Sequence, residues 1–163
     1  VLVAFARRAA ALHVEAQAVQ ALAAALDARW DEAVVDAFGA LPPHADDARL
    51  ARAEAWLPAK PTSPALLLAL ARLCRHADLP GKAEAYFHRA IAQGAGAEAW
   101  EGLGELLEAA NDPRAALAFG NALRVARAEP PREVPGRGLR ERIGAAAAGE
   151  ERDPFGYPRL PPA

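Results

Sequence analysis

At 163 residues and a net charge of −2, the chain has room for one domain with a real core and carries no global basic field of the kind that draws a protein onto nucleic acid. Hydrophobic residues make up 53% and aromatics only 6%, an alanine-rich mixture that favours close helix–helix contact over β-sheet, so the expected class is all-α. A single cysteine excludes an internal disulfide and the multi-cysteine structural zinc patterns, and no run of about 18 apolar residues offers a membrane span.

A helical period runs from the first residue to about Ala128, broken at residues 12–14, 27–30, 42–46, 58–64, 77–81, 94–97 and 111–113. Eight helices of about 10 to 15 residues are expected. Because the pattern opens inside a helix and the chain holds no methionine, the expectation is a piece of a longer protein. Three breaks carry start signals: Asp46 before ARLARAEAWL, Ser63 with Pro64 before ALLLALARL, and Asp112 with Pro113 before RAALAFGNAL. Among the first 60 residues, HVEAQAVQALAAAL and WDEAVVDAFGAL both read as second helices of hairpins, and DARLARAEAWLPAKP as the second helix closing another pair.

From Pro64 the chain repeats. The segments beginning at Pro64 and Ala97 align at a period of 33, with Leu67 over Trp100, Leu70 over Leu103, Ala71 over Gly104 and Cys74 over Leu107. A large residue, a leucine three on, a small residue where helices cross and another apolar residue one turn later is the tetratricopeptide pattern, completed in the second helix by Ala83, Phe87 and Ala90. In the second copy a one-residue slip puts Ala115, Phe119 and Ala122 in those places, and the slip is preferred because it buries Phe119. The clearest repeats are thus 64–96 and 97–127, within a repeat domain 1–128. Residues 129–163 hold seven of the 14 prolines, with one short helix expected at GLRERIGAAAA and an extended DPFGYPRLPPA whose Phe155 and Tyr157 are expected to pack back on a helical surface.

The run from WDEAVVDAFGALPP through PALLLALARLC to the second repeat resembles the C-terminal tetratricopeptide region of bacterial HemY-type proteins, over roughly residues 1–127. Its most specific pieces are Trp30-Asp31-Glu32-Ala33, AEAWL at 53–57 and PALLLALARLC at 64–74. The resemblance implies a right-handed superhelical stack of helix hairpins and a protein-interaction scaffold. It further implies the soluble, cytoplasmic-side region of an inner-membrane protein whose two N-terminal membrane helices lie outside this chain. The implied setting is haem and porphyrin biosynthesis, whose enzymes would be the partners. Nothing like a GxGxxG dinucleotide site occurs, which separates the chain from the flavoenzymes that share the family's name in some bacteria.

In the tetratricopeptide register the first helix of each repeat lines the groove through a stripe spaced by three and four residues. In the last repeat that stripe includes Glu98, Glu101, Glu105 and Glu108; in the preceding one it includes Arg72, Arg75 and His76. Arg72 is expected level with Glu105, and Arg75 with Glu108. The stripes read either as solvated inter-helix ion pairs or as a bipolar groove for a protein or peptide of complementary charge.

Cys74, His76 and His88 form the other conspicuous set. Cys74 takes an apolar packing position, His76 lies about 200° round the helix from it, and His88 points outward, so no metal site is expected. The alternative function is a tetrapyrrole-binding module using an apolar cleft with His76 as ligand. Thr62 and Ser63 are the only hydroxyls besides the tyrosines and sit in a helix-capping loop, so no enzyme activity is expected, and the dispersed arginines without an aromatic platform give no nucleic-acid surface.

Overall fold

A computed structural model describes residues 1–12, 14–43 and 48–135. Among them are eight α-helices and no strand: α1 (Leu2–Ala11), α2 (Glu15–Ala28), α3 (Glu32–Ala40), α4 (Arg49–Trp56), α5 (Pro64–His76), α6 (Pro80–Ala92), α7 (Ala97–Ala109) and α8 (Ala115–Ala126). None is long and apolar enough to cross a membrane. The helices belong to one compact unit, Val1–Arg132. The cap expected at Asp46, the helix expected at GLRERIGAAAA and the packing expected of Phe155 and Tyr157 lie outside the described residues.

Local chemistry explains where the helices start and stop. The Ser63 hydroxyl accepts the Leu66 N–H at 3.1 Å while Pro64 occupies the first turn, where no N–H is needed. Asp31 caps α3 by accepting from Ala33 at 2.9 Å and Val34 at 3.3 Å. Asp112 acts slightly before α8, accepting the Arg114 N–H at 2.9 Å in a turn that precedes the first helical residue. Helices α5 and α7 end alike: Asp78 and Asn111 adopt φ of 56° and 53°, and the next N–H returns to Cys74 O and Leu107 O at 2.9 Å each. This left-handed stop satisfies the terminal carbonyls and recurs with the repeat.

The odd helices follow one another side by side, α1 on α3, α3 on α5 and α5 on α7, while α2 packs on α1 and α3, α4 on α5, α6 on α5 and α7, and α8 on α7. Helix α3 therefore stands in one row with α1 and α5, where its sequence had suggested the second helix of a hairpin. Its closest approach is to α5, where a Cβ on Gly39 would stand 2.4 Å from Ala69 Cβ and 2.6 Å from its Cα. Only glycine fits that crossing. In the last hairpin Ala115 is buried and Ala116 exposed, and the Phe119 ring lies so near Gly104 that a Cβ there would meet it at 2.8 Å, as the one-residue slip expects, although Phe119 is half-buried and not in the core.

The junction before the repeats is held differently. Arg49 is fully buried, and its guanidinium donates to Phe38 O at 3.0 Å, Leu41 O at 2.8 Å and Pro42 O at 3.0 Å, binding the C-terminal carbonyls of α3 to α4. Trp56 stands edge-on to Trp30 and Phe38, with ring centroids 5.8 and 5.2 Å away, and donates its indole N–H to Asp27 at 3.1 Å. Glu32 accepts from Trp30 Nε1 and Ser63 Oγ at 2.7 Å each, tying the start of α3 to the start of α5. Beyond α8, buried Asn121 exchanges two hydrogen bonds of 2.7 Å with the backbone N–H and C=O of Arg132, and Arg124 donates to Pro130 O at 2.8 Å.

Candidate functional site

The stripe residues meet where α3, α5 and α7 lie side by side. Arg72, with 18% of its side chain exposed, bridges two helices, donating to Asp36 Oδ1 of α3 at 2.7 Å and to Glu98 Oε2 of α7 at 2.6 Å. Arg75 pairs with Glu105. Both contacts fall nearer the start of α7 than expected, since Arg72 meets Glu98 rather than Glu105 and Arg75 meets Glu105 rather than Glu108. The order of the pairs shows α5 and α7 running in the same sense. Side chains on a helix lean toward its N-terminus, so the longer arginines reach back past their level partners.

Glu101 and Glu108 share the exposed stripe with Glu98 and Glu105, and neither makes a side-chain hydrogen bond or ion pair among the described residues. His76 lies exposed in the last turn of α5. Exposed ion pairs of this kind contribute only about 0–1 kcal/mol each, because water already solvates the separated charges. Their effect is to hold the arginines in place across three helices.

Beside this ionic line the odd helices form an open cavity of about 360 Å³. Val3 and Ala6 of α1 and Ala37 and Ala40 of α3 line it, together with the charged Asp36, Arg72 and Glu98. The apolar wall and Asp36 were not singled out from sequence. With α3 read as a second helix, nothing put Asp36 beside the groove; the small-residue spacing of Ala37 and Ala40 was the available signal. Among the described residues that line this cavity there is no histidine.

Cys74 is buried in α5, and burial, with a smaller contribution from Glu54, pushes its thiol pKa up. His88 points outward, 3.8 Å from Glu84 in the same helix. The described residues contain no group of three or more His, Cys, Asp or Glu placed to hold a metal ion. Between α6 and the turn before α8, Arg114 joins Glu84 at 3.0 Å to Asp112 at 2.6 Å, and the hydrogen bond to Asp112 raises its pKa.

Comparison with protein-family models, with curated proteins and with solved structures finds no match to the chain.

Proposed function

We propose that the chain is a protein-interaction scaffold, a right-handed stack of tetratricopeptide-like hairpins whose odd-helix face takes up a segment of a partner protein. The observation that carries this reading is the cavity of about 360 Å³ between α1 and α3, apolar on its walls and edged by the Asp36–Arg72–Glu98 bridge. A concave apolar pocket with a few fixed polar groups is the arrangement that small ligands and peptide side chains use. Binding fits the Ser63 hydroxyl, which donates to Glu32 and accepts the Leu66 N–H, and so serves to cap α5 and tie it to α3.

The resemblance to HemY-type proteins adds a narrower proposal: the partners are enzymes of haem biosynthesis, gathered at the bacterial inner membrane. A photo-crosslinking amino acid placed at exposed Ala40 in the protein in its native cells tests both, with Leu123 of α8, 60% exposed, as the control position. Crosslinks from position 40 to a defined protein, absent from position 123, are expected. Equal capture from both positions would remove the odd face as the binding surface, and partners unrelated to tetrapyrrole synthesis would remove the narrower proposal alone.

A further inference from the structure

Along the line where α5 and α7 lie beside Asp36 of α3, the described charges do not balance. Five carboxylates, Asp36, Glu98, Glu101, Glu105 and Glu108, stand there with the guanidiniums of Arg72 and Arg75, and both guanidiniums are already engaged. Arg72 is held between two carboxylates and only 18% exposed, so an anionic partner would have to strip it from acids that remain in place and repel the newcomer. The carboxylates are the open side of these pairs: Asp36 is 44% exposed, Glu98 62% and Glu105 49%, while Glu101 and Glu108 have no partner at all among the described residues.

We infer that the segment bound here is cationic, with Lys or Arg on both sides of an aliphatic or aromatic side chain that enters the cavity between α1 and α3. This rests on the reading of the odd-helix face as a binding surface and adds the chemistry of what it binds. The cavity supplies the anchor: Val3, Ala6, Ala37 and Ala40 form walls without charge, and the volume of about 360 Å³ admits a side chain of leucine or phenylalanine size. The acids supply direction and sign. From Glu98 to Glu108 the stripe on α7 extends about 15 Å at 1.5 Å per residue, the span of four or five residues of extended peptide. A cation beside Glu98 is within one side-chain length of the cavity edge, because Glu98 lines both.

Random peptides of about twelve residues displayed on phage and selected against the whole chain provide the test. The expected enrichment is Lys or Arg flanking Leu, Ile or Phe. Affinity of a selected peptide, read by fluorescence anisotropy, is expected to fall about tenfold or more in Glu101→Lys with Glu108→Lys, and to fall again between about 50 and about 300 mM salt. Ala40→Trp, which fills the cavity from an exposed position, is expected to abolish binding with thermal unfolding unchanged. Selection of acidic or uncharged peptides whose binding Ala40→Trp still abolishes would overturn the cationic assignment and leave the binding face standing. Failure to select any peptide, or binding indifferent to all three substitutions, would overturn both.

Discussion

The helices before residue 63 and the two hairpins after it solve the same packing problem by different means. In α5 to α8 the solution is periodic: Phe87 and Phe119 press on small residues of the neighbouring helices, and α5 and α7 stop on the same left-handed turn. Around α3 and α4 it is particular to the site, with a buried guanidinium on helix-terminal carbonyls, a tryptophan pair and a glycine laid against the backbone of a neighbouring helix. Stability in the second region should therefore follow apolar volume, and in the first region hydrogen bonds and backbone approach.

Substitutions can break that contrast. The largest loss is expected for Phe87→Ala, about 3–5 kcal/mol in urea denaturation, because a fully buried ring leaves a cavity among α5, α6 and α7. Arg49→Met keeps most of the apolar stem but strands three carbonyls, and about 3 kcal/mol should be lost; a loss below about 1 kcal/mol would show the guanidinium is not what joins α4 to α3.

Gly39→Ala should cost about 2 kcal/mol even after the roughly 0.5–1 kcal/mol that alanine gains in a helix, since the added Cβ meets α5 backbone. Had α3 been an outlying second helix, that substitution would stabilise. Asn121→Ala should cost about 1–2 kcal/mol and, in hydrogen exchange, release the Arg132 amide selectively. Smallest is a gain: Ala128 sits at φ 58°, so Ala128→Gly should add about 1 kcal/mol, read as a raised Tm.

The same contrast decides what sequence could reveal. Helix existence and most boundaries were legible because the breaks carry turn chemistry that acts locally, as at Ser63–Pro64, and the slip at Ala115 was legible because aromatic volume has to face a small residue. Arg49 was not, since hydropathy places arginine outside and its partners are backbone atoms with no sequence signature. Asp36 was missed because its partner lies 36 residues away on a helix whose neighbours only the tertiary packing defines. For the groove, the residues were legible and their pairing was not: a repeat register gives level positions, whereas side-chain length and lean set which atoms meet.

Cys74 is the chain's only cysteine, and it is buried with its pKa pushed up, so the native thiol is both hidden and protonated at neutral pH. Any thiol reagent added to the folded protein must wait for the α5–α6 pair to open, which makes the labelling rate a clock for that opening. A second cysteine introduced on the odd face, at Ala40 for instance, would react at once and alone, so a dye or spin label can be set beside the cavity without replacing the native thiol.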